Sequence, residues 1–412
     1  MQMRLGKTLP IIRFLKRRAS RILVVAPSTV LLVWKEQLEE DGESCKIYDE
    51  DTVLRNQLLE TPEKWCLLNK ESHLYIPKLT TIKWDAIIID ESTFIKNPKA
   101  QVTKFFLKHF QSVHYKFLLS GTPAPEGRLD YITQLLFLGE EVGGCDSYWS
   151  FIHNYTKAIG PGKFITREGN KRIDKALANR VFFMTRKEAG IVEEKIREVR
   201  YVKLSTGMQK VYSRLEQDFI LEYDGTKKYL NWLIQQFAYM RSVCNGIVEG
   251  RVTDIPKIME LVYLMKTELK DEPVVVWGCF NPQLEASHSM LNKKGIKSAI
   301  LTGNHSKKKH AVALQDFRSG KAQVLHCQVK LGMMGLPLDR ADTAVYYNQP
   351  LPYLENEQSE DRIVHTDKKT PLLYIYLLAQ DTVEQKVYRN ITKKRCCNEA
   401  EMVKGIHDEM AG

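Results

Sequence analysis

At 412 residues the chain is too long for a single compact core, so two α/β domains with a small helical insert are the natural division. Hydrophobic residues make up 43% and charged residues 27%, the balance of an ordinary soluble globular protein. Lys and Arg outnumber Asp and Glu by 61 to 50, a net charge of +11 that suits a polyanionic partner without identifying one. The eight cysteines include no CxxC; Cys396 and Cys397 are adjacent and the others scattered, which excludes a zinc pattern and reads as thiols in a reducing compartment. No stretch approaches the roughly 20 apolar residues of a membrane span. The apolar run over 21–34 imitates a signal peptide but is broken by Ala26-Pro27-Ser28, so the chain reads as cytoplasmic.

In chain order, short apolar runs fall at 21–26, 86–89 and 116–120, then at 274–277, 299–301, 324–327, 344–347 and 372–378. Most lack period-two alternation, as expected of parallel strands covered on both faces. Helix-period segments such as 283–294 and 307–318 lie between them, and this βαβ rhythm predicts doubly wound sheets. The rhythm occurs twice, on either side of a strand-poor region over 147–270. That region carries helical stretches at 208–222 and 228–244, whose Trp232, Phe237, Tyr239 and Met240 read as core rather than as base-stacking residues. Gly160-Pro161-Gly162 and Gly169-Asn170 read as surface loops, and the tail after Val387 as basic and polar.

Three strand-end motifs carry the chemistry. Arg4-Leu5-Gly6-Lys7-Thr8 is the downstream half of a Walker A loop. Its glycine lets backbone approach phosphate, Lys7 neutralises β/γ oxygens, and the Thr8 hydroxyl ligates Mg²⁺. The run at 86–89 ends in Asp90-Glu91, where Asp90 would hold Mg²⁺ through water and Glu91 would polarise the attacking water. The third motif, Leu119-Ser120-Gly121-Thr122-Pro123, again closes an apolar strand. A GKT tripeptide or an acidic strand end is commonplace alone; the ordered series is not.

The series resembles superfamily 2 helicases, in particular the Swi/Snf-type DNA translocases and their compact phage and bacterial members. Residues 3–8 are similar to motif I, and Ala26-Pro27-Ser28-Thr29-Val30 with Trp34 to motif Ia. Residues 90–97 are similar to the DEAH-like box with its Ile-Lys-Asn trailer, and Ser120–Pro123 to motif III. In the second half, 274–280, Leu301-Thr302-Gly303, 332–336 with Ala341-Asp342-Thr343, Gln358–Arg362 and Asp381–Glu384 resemble motifs IV to VI and the closing Thr-x-Glu signature. The resemblance implies two RecA-like lobes with a helical insertion: lobe 1 over 1–198, a linker over 199–255, lobe 2 over 256–388 and a basic tail over 389–412. It implies an ATP- and Mg²⁺-dependent ATPase acting as a monomeric motor on double-stranded DNA with no membrane partner. ATP would sit between the lobes, with Gly335 and Arg362 brought towards its phosphates. Pro27, Ser28, Thr29, Thr302 and Gly303 would contact the sugar-phosphate backbone, and Ser120, Gly121 and Thr122 would couple nucleotide state to that grip.

The chain also departs from the pattern. The strand and glutamine motif that precede motif I are missing, which predicts absent ladder partners in the first sheet and a truncated or mis-started reading frame. Arg4 replaces a usual glycine, Ser92-Thr93 replace Ala-His as a minor change, and Pro337 alters motif V. His365 stands in place of the arginine finger, which a neutral imidazole cannot copy. Two rivals follow: a catalytically impaired nucleic-acid clamp, and a DEAD-box-like RNA helicase, against which the Ile95-Lys96-Asn97 trailer argues. A small-molecule kinase would leave the second half unexplained.

Overall fold

A computed structural model describes residues 5–48, 63–72, 77–159, 162–190, 194–221, 227–332, 338–351, 353–364, 370–393 and 399–411. The chain divides into two compact units, Met1–Val192 and Glu193–Gly412.

The first unit runs α1 (Thr8–Leu15), β1 (Ile22–Ala26), α2 (Ser28–Glu40), β2 (Cys45–Ile47), β3 (Trp65–Asn69), β4 (Ala86–Asp90), α3 (Gln101–His109), β5 (Tyr115–Leu119) and α4 (Asp130–Phe137). It continues through α5 (Tyr148–Tyr155), a hairpin of β6 (Thr156–Ile159) and β7 (Gly162–Ile165), and α6 (Arg167–Arg180). The five-stranded sheet has the order β2-β3-β1-β4-β5, and every ladder in it is parallel. Side chains of β1 alternate between its two faces: Ile22, Val24 and Ala26 pack with α1 and α2, while Leu23 and Val25 pack with Phe106 and Phe110. Both faces are dry, so the strand is apolar throughout and shows no period of two. Among the described residues β4 is the sole ladder partner of β5, whose side chains at Tyr115–Leu118 are only half-buried.

The second unit holds β8 (Lys195–Val202), α7 (Thr206–Leu221), α8 (Lys227–Cys244), β9 (Ile247–Val248), β10 (Arg251–Val252), α9 (Pro256–Lys266), β11 (Val274–Gly278) and α10 (Asn281–Lys293). It goes on with β12 (Ser298–Leu301), α11 (Lys307–Arg318), β13 (Val324–Gln328), β14 (Thr343–Tyr346), α12 (Tyr353–Glu360), β15 (Leu372–Ala379), α13 (Val383–Thr392) and α14 (Glu399–Ala411). Its parallel sheet has the order β12-β13-β11-β14-β15-β8 and is likewise covered on both faces. The two sheets are the doubly wound, RecA-like lobes expected.

Several sequence expectations change. The region over 147–270 is not strand-poor, since it contains β6 to β10. A lobe boundary at 198 falls inside β8, which pairs with β15 along its whole length. The helices of the 199–255 segment share one core with the tail: Tyr212, Phe237 and Met240 pack with Val387, Val403 and Ile406. Gly169 and Asn170 lie in the first turn of α6 rather than in a loop. Thr166 caps that helix by accepting the Gly169 N–H at 3.1 Å. A Cβ at Gly169 would stand 2.8 Å from both Ile165 Cγ2 and Tyr155 Cβ, so the glycine serves close packing. Among the described residues no helix is long and apolar enough to cross a membrane.

Candidate nucleotide site

Because its strands are parallel, the first sheet delivers the ends of β1, β4 and β5 to one edge, the place where such sheets take ligands. Gly6 precedes α1 with φ +67°, a left-handed conformation suited to glycine, and Lys7 is the N-cap residue. No side chain caps α1 and no acidic residue occupies its first turn, which Thr8 opens, so its first amides suit an anion. Arg4 lies outside the described residues.

Asp90 ends β4 and is buried. Its Oδ2 accepts the Trp34 indole N–H at 2.9 Å and its Oδ1 accepts the Glu91 N–H at 2.8 Å. An ionised carboxylate has about four lone-pair sites, so capacity remains for a hydrated cation. Among the described residues no cluster of three or more His, Cys, Asp or Glu could hold a metal by itself. A divalent ion here therefore needs phosphate oxygens and water in its shell, which is how Mg²⁺ is commonly bound.

Glu91 adopts φ 52°, unusual for a residue with a side chain, and the chain turns sharply into a 3₁₀ segment, Ser92–Ile95. The buried Ser92 hydroxyl donates to Gln134 Oε1 at 2.7 Å. Gln134 Nε2 donates in turn to the carbonyls of Pro123 at 2.7 Å and Asp130 at 2.8 Å. Next to it, the Thr133 hydroxyl donates to the Lys96 carbonyl at 2.8 Å.

Within this unit a cavity of about 580 Å³ is lined at its polar part by Lys7, Ser92, Ser120, Gly121 and Gln134. The apolar part includes Ile11, Phe117, Leu119 and Phe182. Residues of the first and third motifs thus share one space with Ser92, which follows Asp90-Glu91; Asp90 and Glu91 themselves are not among its lining residues. The Thr122 N–H donates to Ser120 Oγ at 3.1 Å, tightening the turn after β5. Pro27 is the buried N-cap residue of α2, and Ser28 Oγ accepts from Asn69 Nδ2 at 2.6 Å. Thr29 belongs to α2, and its side chain lies outside the described set.

In the second unit Thr302 is fully buried, its hydroxyl 3.3 Å from His305 Nδ1. The exposed Gly303 donates its N–H to Gln328 Oε1 at 2.9 Å. Of this pair, only Gly303 faces solvent. Arg362 follows α12 and is buried; its carbonyl accepts the Leu338 N–H at 3.3 Å. Two residues earlier, the Glu360 carboxylate takes two Arg197 N–H groups, at 3.1 and 2.6 Å, tying this segment to β8. Gly335 and His365 lie outside the described residues.

Sequence reasoning placed Trp34 and Glu360 within motifs but missed their bonds to Asp90 and Arg197, and it missed Gln134 altogether. The one available signal was Thr133-Gln134, two polar residues inside the apolar stretch 131–138.

The SNF2-related domain matches residues 2–248, and the helicase conserved C-terminal domain matches residues 256–366. The chain belongs to the SNF2-related family of superfamily 2. It is 22% identical to an uncharacterised ATP-dependent helicase of Mycoplasma genitalium, covering 94% of this chain and 38% of that protein. It is 23% identical to the ISWI chromatin-remodeling complex ATPase ISW1 of Saccharomyces cerevisiae, covering 95% of this chain and 37% of that protein. The chain therefore spans less than two-fifths of the length of either relative. A solved Sulfolobus solfataricus SWI2/SNF2 ATPase core in complex with dsDNA aligns with a TM-score of 0.44 at 18% identity, over all of this chain and 88% of that one.

Proposed function

We propose that the chain is an ATP-driven motor that moves on double-stranded DNA, acting as a monomer. The observation that carries this reading is the uncapped start of α1 behind Gly6, with Lys7 in the same cavity as Ser92, Ser120 and Gly121. Relatives named as an ATP-dependent helicase and a chromatin-remodeling ATPase support it.

Lys7 and the first amides of α1 would bind and orient the β/γ-phosphates of ATP. Mg²⁺, held by Asp90 and the Thr8 hydroxyl together with phosphate, would supply charge neutralisation. Glu91 orients the attacking water and accepts its proton. Ser120, Gly121 and Thr122 pass the nucleotide state on; Pro27, Ser28, Thr29 and Gly303, with Thr302 supporting Gly303 from within, position the DNA backbone. Arg362 belongs to the second unit, and its part in the reaction is proposed on its motif alone.

The alternative is a clamp that binds nucleic acid without turnover. Phosphate release measured with duplex DNA, duplex RNA and neither separates the readings. The motor reading expects stimulation by DNA over RNA and its loss, by about 100-fold or more, in Lys7→Ala. Equal stimulation by RNA points to an RNA helicase, and no release with either duplex points to the clamp.

A further inference from the structure

We propose that Gln134, gripping Ser92, is a positioning residue that links the Asp90–Glu91 turn to the Ser120–Pro123 turn; the inference rests on the ATPase reading above. Gln134 is 4% exposed and Ser92 is 1% exposed, so neither hydrogen bond competes with water. The side-chain amide is fixed at both ends: Oε1 takes the Ser92 hydroxyl at 2.7 Å, and Nε2 donates to the Pro123 carbonyl at 2.7 Å and the Asp130 carbonyl at 2.8 Å. It therefore joins the residue after Glu91 to the residue after Thr122, across the ends of neighbouring strands β4 and β5.

Glu91 sits between two anchors. On one side its N–H is held by Asp90 Oδ1 at 2.8 Å; on the other, Ser92 is held by Gln134. Its left-handed φ of 52° persists only where the surroundings over-determine it. A shift of the Ser120–Pro123 turn is passed through Gln134 to Ser92, and so to the backbone that aims the Glu91 carboxylate. The alanine usual at position 92 in the resembling helicases has no hydroxyl for this bond. The serine is therefore part of a contact, and not the minor change that the sequence suggested.

Two variants of the full chain, Ser92→Ala and Gln134→Leu, and their combination test the link by amide hydrogen exchange over residues 117–124 and by DNA-stimulated ATP turnover. Thermal unfolding confirms that each variant folds. The link predicts about fivefold or more faster exchange over 117–124 in Ser92→Ala, although the substitution lies some 30 residues away in sequence. It also predicts about a tenfold fall in kcat with KM for ATP within about twofold, and a double variant no worse than Gln134→Leu alone. Unchanged exchange in both single variants overturns the link, whatever the turnover. Faster exchange with unaltered kcat overturns its coupling role. Faster exchange in a protein whose wild type does not hydrolyse ATP upholds the link and overturns the ATPase reading instead.

Discussion

A histidine sealed in a core is harmless while neutral and becomes costly once protonated. His326 on β13 is fully buried, with Nε2 2.8 Å from Ser287 Oγ, which also lies 2.6 Å from the Tyr347 hydroxyl. Burial first, and then the neighbouring His288, whose ring centroid is 6.0 Å away, push its pKa down from 6.5 to about 3. The unfolded chain therefore binds this proton more readily than the folded one. The stability contributed by keeping the ring neutral is complete above about pH 6.5 and declines as pH falls towards 3. Urea midpoints measured from pH 7 to pH 4 should drop by an amount equivalent to about 3 kcal/mol, and His326→Gln should flatten that dependence. A wild-type slope retained in His326→Gln would assign the effect to other groups. At this scale the positions of Lys7 before α1 and of Asp90 at the end of β4 were legible in the sequence pattern. The bonds of Trp34 and Gln134 were not, since their partners lie 56 and 42 positions away in sequence and only the fold brings them together.

Elements of the second unit are tied by a buried ion pair. Lys257 on α9 meets both Glu384 oxygens on α13, at 2.8 and 2.6 Å, and donates also to Asn245 Oδ1 at 3.0 Å and the Tyr347 carbonyl at 2.6 Å. Glu384 further accepts the Ala379 N–H at 2.8 Å, so five segments meet at one charge pair. Lys257→Met should lower unfolding stability by about 3–5 kcal/mol, because it leaves a carboxylate buried without its cation. Lys257→Met/Glu384→Leu should recover a large part of that loss in the same urea titration; a double variant as weak as the single one would contradict the assignment. The central parallel strands were readable from the sequence as short apolar runs. β8 was not, because it is an edge strand whose Lys195, Arg197 and Arg200 keep charge along an open rim. The hairpin of β6 and β7 and the start of α6 were hidden by glycines that read as loops, where Gly169 in fact answers close packing.

On the scale of the whole molecule, each unit is a doubly wound lobe with its own two-faced core, and the family match extends through both. The net charge of +11 gave no specificity by itself; it becomes informative beside strand-end motifs whose residue types suit phosphate. We propose that Glu91 drives ATP hydrolysis in response to DNA. The most direct test compares steady-state phosphate release on duplex DNA by the wild type and Glu91→Gln, with ATP binding measured in parallel. Wild-type release should be stimulated by DNA, and the variant should still bind ATP but release phosphate about 100-fold or more slowly. Undiminished release by Glu91→Gln, or none from the wild type on DNA, would contradict it.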